Sequence, residues 1–260
     1  MKIRLDKALA EYKLVSTRSQ AESFIRLGKV LVNNKPITKP GHLISEDDHI
    51  EVKVDTQYVS RAAYKLESVA QLFKLDFKGK IILDVGSSTG GFTDFALQHG
   101  ANKAICVEVG TDQLHAKLRG DKRIELHEKT DIRSIKPNEI DIADIVVIDV
   151  SFISLADVLP SVAGLIGPKT QVVTMAKPQF EAGVKLKNKG VIKNERMRRD
   201  ILTELEQKMR RIFVVLDKAD SGVTGEKGNQ ERFYLLSALG KSSPTRGFTP
   251  RPARNGVPRK

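Results

Sequence analysis

The sequence has little of several features that mark particular protein classes. It contains a single cysteine, Cys106, and no tryptophan among 260 residues. One cysteine excludes an internal disulfide, so a small disulfide-rich secreted scaffold is not expected. No apolar run approaches the roughly 18 residues that cross a bilayer, and the first residues lack the apolar stretch and cleavage site of a signal peptide. We therefore expect a cytoplasmic protein without a membrane partner.

Two further shortages concern aromatic and acidic residues. Aromatic residues make up only 5% of the chain, which argues against a platform that stacks single-stranded bases. The last twenty residues, 241–260, contain no acid but six Lys or Arg and four prolines. They supply half of the net charge of +12 and predict a disordered basic arm, although a merely solubilising tail is the alternative. A charge this positive favours partners rich in phosphate.

Residues 1–52 have a pattern of their own. The apolar residues of 5–12 have helical spacing, and a second helix, capped by Ser16 or Thr17, ends at Gly28. Two strands follow, the first with a turn at its pair of asparagines. These elements predict a small α+β module with a basic surface.

Three motifs of this module resemble the S4 RNA-binding domain: R-L-D-K-x-L (4–9), S-T-R-S-Q-A (16–21) and I-R-L-G-K-V-L-V-N (25–33). The resemblance implies that two helices and a small sheet present basic side chains to structured RNA. An ordinary small domain with a solvated basic face is the alternative. The candidate RNA contacts in this module are Arg4, Arg18, Arg26 and Lys29.

The rest of the chain alternates between strands and helices. Residues 53–60 are short and polar and predict a linker, and residues 61–240 predict one larger domain. Helical segments between apolar runs are typical of a mostly parallel sheet, and near-continuous Ile and Val indicate strands buried on both faces. We therefore predict an α/β fold with a Rossmann-like, seven-stranded, mostly parallel sheet. The runs are 80–85, 103–109, 124–128, 144–150, 171–176, 212–217 and 232–239.

The run IILDVGSSTGGF (81–92) predicts a strand, a glycine-rich turn and a helix start, and such sheets bind ligands at the carboxyl ends of their strands. Asp84 lies inside this loop, where an acid would repel a pyrophosphate but suits a ligand with a positive centre, such as S-adenosylmethionine. Glu108 and Asp131 follow the next two strands as acceptors for a ribose and an adenine amino group. Ordinary tight turns are the alternative. The predicted cofactor contacts are Asp84, Gly86, Ser87, Ser88, Thr89, Gly90, Gly91, Phe92, Glu108 and Asp131.

Five motifs are specific as a set: V-S-R-A-A-Y-K-L (59–66), D-V-G-S-S-T-G-G-F-T-D (84–94), I-D-V-S-F-I-S-L (148–155), A-K-P-Q-F-E (176–181) and G-N-Q-E-R-F (228–233). They resemble ribose 2′-O-methyltransferases of the FtsJ/RrmJ type. With its N-terminal module the whole chain resembles the TlyA family, historically called hemolysin A, which methylates cytidines of ribosomal RNA. The resemblance implies a Lys-Asp-Lys-Glu tetrad. It falls on Lys65, Asp149, Lys177 and Glu231, with Glu226 as a competitor for the last position.

The reaction that the resemblance implies calls for these residue types. A ribose hydroxyl is a weak nucleophile, and its attack on a sulfonium methyl group becomes feasible when a base takes its proton. A lysine serves as base only if its pKa falls from about 10.4 towards neutrality, which a second ammonium and partial burial promote. Our hypothesis is that Lys177 is the base, while Asp149 and Lys65 position it and the oxygen and Glu231 supports them.

Basic residues outside the first module predict further contacts with folded RNA, recognised by shape. Arg61, Lys185 and Lys189 are the candidates, with ribosomal RNA or a ribosomal subunit as the partner and no metal. Four rival hypotheses remain open: an RNA-binding protein with an inactive methyltransferase domain, a pore-forming hemolysin, a methyltransferase for protein or small molecules, and a dinucleotide oxidoreductase. The sequence fixes neither the target nucleotide nor the oligomeric state.

Overall fold

The computed structural model describes residues 2–15, 18–26, 28–45, 47–53, 58–182, 191–192, 194–225 and 228–239. Several predictions concern positions outside these ranges, so the structure does not address them. They are the helix caps Ser16 and Thr17, the central part of the linker (54–57), the RNA contacts Lys185 and Lys189, the alternative glutamate Glu226, and the basic tail, 241–260.

The N-terminal module contains two helices and two small sheets. Strand β2 pairs antiparallel with both β3 and β5, and β1 pairs with β4. The β2–β3 turn has its asparagines, Asn33 and Asn34, at φ values of 50° and 62°, which a tight two-residue hairpin requires and asparagine tolerates. The elements are β1 Ile3–Arg4, α1 Leu5–Glu11, α2 Arg18–Arg26, β2 Val30–Val32, β3 Lys35–Ile37, β4 Leu43–Ile44 and β5 Ile50–Val52.

The larger part of the chain alternates helices with strands, as the sequence predicts. Ser60 begins its first helix by accepting a hydrogen bond from the Ala62 amide. The elements are α3 Arg61–Ala70, β6 Ile81–Val85, α4 Gly91–Gln98, β7 Lys103–Val107, α5 Ala116–Arg119, β8 Ile124–His127, a 3₁₀ turn Ile132–Ser134, β9 Ile145–Ile148, α6 Leu155–Leu165, β10 Gln171–Ala176, α7 Pro178–Glu181, α8 Glu195–Met209, β11 Phe213–Asp220 and β12 Arg232–Ala238.

Seven of these strands form one sheet in the order β11-β12-β10-β9-β6-β7-β8. The pairs from β10 through β9, β6 and β7 to β8 are parallel, whereas β12 runs antiparallel between β11 and β10. The predicted seven-stranded, mostly parallel sheet is therefore confirmed. Because β12 is reversed, the residue that precedes it, Glu231, lies at the same edge as the carboxyl ends of the parallel strands.

Apolar side chains cover both faces of this sheet. One cluster includes Ile82, Phe92 and Phe95 and continues into residues of the N-terminal module such as Leu9 and Ile25. The cluster on the other face packs α6 and α8 against the strands. Within the described residues, no helix is long and apolar enough to cross a membrane.

Candidate active site

The loop after β6 brings its backbone against the neighbouring strand end. Gly86 has a φ of +80°, and a Cβ atom there would lie 2.8 Å from the carbonyl oxygen of Asp149. Both the conformation and the close approach call for glycine. The amides of Gly86 and Ser87 donate to the Val107 carbonyl, at 2.9 and 3.4 Å. Strand ends β6, β7 and β9 are thereby held together around one opening.

Asp84 lies beneath this loop and is 1% exposed. Its Oδ2 accepts hydrogen bonds from the amide and the hydroxyl of Thr93, at 3.0 and 2.7 Å. Its Oδ1 has no hydrogen-bond partner among the described residues. The pKa of Asp84 is raised to about 7, mainly by burial; the Thr93 donors oppose this rise, and the charge of Asp149 contributes to it. A cationic ligand nearby would favour the ionised carboxylate.

Glu108 follows β7 and stabilises the loop while facing the opening. Its two oxygens accept from the amides of Ser88 and Gly110, each at 2.9 Å. Oε1 also accepts from the Gln113 side-chain amide at 3.5 Å, whereas Oε2 has a second lone pair that can accept from a ribose hydroxyl. Asp131 caps the 3₁₀ turn through the Arg133 amide and pairs with the Arg133 guanidinium at 2.6 Å. Its carboxylate is therefore already engaged.

A cavity of about 480 Å³ opens at these strand ends. Its size falls within the range of roughly 300–1,000 Å³ that is usual for small-molecule sites. Acceptor oxygens of Glu108 and apolar faces of Val109 and Ile132 suit a nucleoside, and the Asp84 oxygen without a hydrogen-bond partner among the described residues lies beneath the loop. The predicted cofactor residues that line this cavity are Gly86, Ser88, Glu108 and Asp131.

Several other residues of the predicted loop contribute to packing rather than to the lining of the cavity. A Cβ at Gly90 would meet Leu118 at 2.4 Å, and one at Gly91 would meet the Ser60 hydroxyl at 2.2 Å, so both glycines allow close packing. Phe92 is 2% exposed and packs on Phe233 with ring centroids 6.2 Å apart. The predicted cofactor contacts that do not line the cavity are Asp84, Ser87, Thr89, Gly90, Gly91 and Phe92. Phe92 is therefore part of the core, and its predicted contact with a cofactor stays a prediction.

The four predicted catalytic residues form two lysine–carboxylate pairs. Lys65 on α3 lies 2.7 Å from Glu231, and Lys177 after β10 lies 2.5 Å from Asp149 after β9. Glu231 is 3% exposed, and the other three side chains are 11–16% exposed. Burial raises the pKa of Glu231, the charges of Lys65 and Lys177 oppose that shift, and Asp149 adds to it. All four groups therefore act on one another as a single cluster.

Three residues that the sequence did not single out complete this edge. Ser151 accepts a hydrogen bond from Lys177 Nζ at 2.8 Å. Phe152 lines the cavity, is 88% exposed, has a φ of +66° and packs on Phe180. A phenylalanine with a left-handed backbone is unusual, and such outliers concentrate at functional sites. Glu181, the last residue of the A-K-P-Q-F-E motif, accepts from Ser154 and the Leu155 amide at 2.5 and 2.9 Å.

The structure places the candidate RNA contacts in different environments. Arg4 and Arg18 both pair with the fully buried Asp6, at 3.0 and 2.7 Å, while about half of each arginine side chain stays exposed. Arg26 is exposed at the end of α2. Arg61 begins α3 and is partly buried. Lys29 is only 20% exposed and contacts the larger domain, an arrangement that its predicted role on the RNA surface did not anticipate.

Comparison with known proteins adds two family matches. A model of FtsJ-like methyltransferases matches residues 58–238, and a model of the S4 domain matches residues 3–50. The 16S/23S rRNA (cytidine-2′-O)-methyltransferase TlyA of Mycobacterium tuberculosis is 35% identical over 238 residues, which is 90% of this chain and 89% of the relative. Hemolysin A of Brachyspira hyodysenteriae is 37% identical over 233 residues, which is 88% of this chain and 97% of the relative.

A solved structure of a Streptococcus thermophilus protein, described as a hemolysin, has a similar fold. It is 35% identical, covers 91% of this chain and 88% of its own, and superposes with a TM-score of 0.67. Among the described residues no group of His, Cys, Asp or Glu has the arrangement of a metal site. These relatives match 88–91% of the chain, which includes the fold, the cavity and the two ion pairs.

Proposed function

Because the chain belongs to the FtsJ-like methyltransferase family and carries an S4 domain, we propose that it methylates the 2′-hydroxyl of a cytidine ribose in ribosomal RNA, with S-adenosylmethionine as methyl donor. The observation that carries this proposal is the pairing of Lys177 with Asp149 beside the cavity, with Lys65 and Glu231 in the same cluster. The curated relatives with cytidine-2′-O-methyltransferase names support the choice of ribose over base.

The lining of the cavity suits the proposed methyl donor. Glu108 would hold the ribose hydroxyls, and Asp84 lies under the loop where a cationic group favours its ionised form. Bound S-adenosylmethionine would supply an electrophilic methyl group on its sulfonium. The loop residues Gly86 and Ser88 line the same cavity as Asp149. The fit concerns charge as well as size, because the lining acids disfavour a phosphate-bearing cofactor.

Lys177 is the proposed general base. Its Nζ lies within hydrogen-bond distance of both Asp149 and Ser151, and these contacts fix its orientation. It takes the proton of the 2′-hydroxyl as the oxygen attacks the methyl carbon. Bound S-adenosylmethionine would supply the methyl group, with its sulfur taking the electron pair of the broken bond, and Lys177 Nζ would hold the proton of the hydroxyl until solvent removes it. Lys65 and Glu231 hold the hydroxyl side of the cluster in place.

The test replaces Lys177 by alanine in the purified protein. Methyl transfer to ribosomal RNA is followed with labelled donor, and RNA binding is measured separately. General-base catalysis contributes about 10²–10⁴-fold, so we expect a loss of that order with RNA affinity unchanged. Lys208→Ala is the matched control, because Lys208 pairs with Glu204 on the exposed face of α8. A Lys177→Ala rate close to wild type, with RNA binding intact, would refute the assignment.

A further inference from the structure

Helix α3 connects the N-terminal module to the catalytic cluster. Its residues Tyr64 and Glu67 contact the module, whereas Lys65, between them in sequence, pairs with Glu231. Neighbouring helical positions point in different directions, about 100° apart at 3.6 residues per turn. One turn of α3 therefore touches the predicted RNA-binding module on one side and the site of the chemistry on the other.

The contact with the module is centred on Lys29. Its ammonium lies 4.1 Å from the centroid of the Tyr64 ring and 3.4 Å from Glu67. The ring of Phe24, on α2, packs edge-on against Tyr64 at 5.9 Å. Tyr64 is 6% exposed and Phe24 is 4% exposed. A cation over an aromatic face is stabilised further when it is partly desolvated, so this contact is stronger than an exposed ion pair.

On its catalytic side, α3 is attached to the segment that carries Glu231. The Ser68 hydroxyl donates to the Lys65 carbonyl at 2.6 Å and accepts from the Gly222 amide at 3.0 Å. The neighbouring Ser221 amide donates to the Glu231 carbonyl at 3.0 Å. A shift of α3 would therefore move Lys65 and the backbone around Glu231 together.

We infer that Lys29, Tyr64 and Glu67 form a positioning contact through which the N-terminal module sets the place of Lys65 in the active site. Lys29 is thus a positioning residue, and the ammonium that the sequence assigned to the RNA surface is directed at α3 instead. The inference rests on the proposed function. It adds that the position of Lys65 in the active site depends on the contact between α3 and the module that would hold the RNA.

Glu67 separates this inference from a direct role of Lys29 on RNA. A carboxylate does not bind phosphate, so Glu67→Gln weakens RNA binding only if it acts through structure. We expect Glu67→Gln and Lys29→Met each to lower kcat at saturating RNA by about tenfold, because small misplacements at a reacting centre have large effects. The KM for RNA should change by less than kcat. Lys29→Arg keeps both the charge and the stacking on Tyr64 and should restore kcat.

The matched controls are Glu204→Gln and Lys208→Met, which remove an ion pair of the same kind on the exposed face of α8. They should leave kcat and KM unchanged. Thermal unfolding of every variant is recorded at the same pH to show that the compared proteins are folded at the assay temperature. A double variant, Lys29→Met with Glu67→Gln, should lose little more than either single variant, since both break one contact.

Two outcomes overturn the inference. If Lys29→Met raises the KM for RNA and leaves kcat intact while Glu67→Gln has no effect, Lys29 is an RNA contact. If both variants lose activity only in proportion to their unfolded fraction, the contact stabilises the fold and does not position Lys65. A wild-type protein that fails to methylate ribosomal RNA would contradict the proposed function, which separates that failure from these two.

Discussion

The two lysine–carboxylate pairs of the active site look alike in sequence but are built differently. Lys177 and Asp149 follow adjacent parallel strands, β10 and β9, and Asp149 borders the cavity. Lys65 and Glu231 come from a helix and from the start of the reversed strand β12, and Glu231 is the most buried of the four. The first pair is thus fixed by the sheet at the cofactor side. The second pair depends on how α3 packs.

The largest expected difference between the pairs is in catalysis. Lys177→Met should lower kcat by about 10²–10⁴-fold, the usual contribution of a general base. Lys65→Met should lower kcat by only about 10–10²-fold, because it removes a positioning group. Single-turnover methylation at saturating RNA measures both. Equal losses for the two variants would mean that the pairs share one role.

The next difference is in stability. Removing one partner of a buried ion pair leaves an uncompensated charge, which costs about 3–5 kcal/mol. Glu231→Ala leaves Lys65 without its ion-pair partner. We expect it to lower the free energy of unfolding by about 3 kcal/mol, the lower end of that range. Asp149→Ala should cost less, because Asp149 is more exposed than Glu231 and Ser151 remains as a partner for Lys177. Denaturant unfolding of the two variants at pH 7 checks the order.

Asp84, which lies on the Asp149 side of the site, should make the free energy of unfolding depend on pH. Its folded pKa, raised mainly by burial to about 7, lies above the value of about 3.9 in an unfolded chain. A raised carboxyl pKa contributes stability that is fully present below the unfolded pKa and is lost as pH rises through the folded value. The free energy of unfolding should therefore fall by about 2 kcal/mol between pH 5 and pH 7.

Thermal unfolding of wild type and Asp84→Asn over this pH range isolates that contribution. The asparagine keeps an acceptor for Thr93 but does not titrate, so its curve should be flatter than that of the wild type. Asp149→Asn should lower the pKa of Asp84, because the charge of Asp149 raises it, whereas Glu231→Gln should leave it unchanged. Identical pH curves for wild type and Asp84→Asn would contradict the assigned cause.

Glu181 should give the smallest effect. It links α7, which directly follows Lys177, to the start of α6 through Ser154 and the Leu155 amide. Glu181→Gln weakens this link by about 1 kcal/mol, the net value of a typical hydrogen bond. We expect about a fivefold lower kcat with the Lys65 pair unaffected. Glu204→Gln, an exposed glutamate on α8, is the control.

Much of this architecture was predictable from the sequence because it depends on local patterns. Alternating apolar runs predicted the seven strands, and Asp149 and Lys177 each directly follow a strand, so both had to emerge at one edge of the sheet. Glu231 lies at the same edge because β12 is reversed. The apolar periodicity did not predict this reversal, and the family resemblance alone assigned Glu231 to the tetrad. The role of Lys177 as base stays a prediction.

Features set by tertiary packing could not be predicted in this way. Lys29 lies in a basic motif of the N-terminal module, and nothing local indicates that its ammonium faces Tyr64. Phe92 follows the glycines of a cofactor-type loop, yet its side chain belongs to the core. Phe152 and Phe180 are far apart in the sequence. Their rings pack against each other only in the folded chain, where Phe152 lies exposed at the cavity.

The most direct test of the account identifies the product. Purified wild type and Lys177→Ala are incubated with S-adenosylmethionine and ribosomal RNA or ribosomal subunits, and the RNA is digested to nucleosides for mass spectrometry. We expect 2′-O-methylcytidine from the wild-type protein and almost none from Lys177→Ala. A methyl group on a nucleobase, or equal amounts of 2′-O-methylcytidine from both proteins, would contradict it.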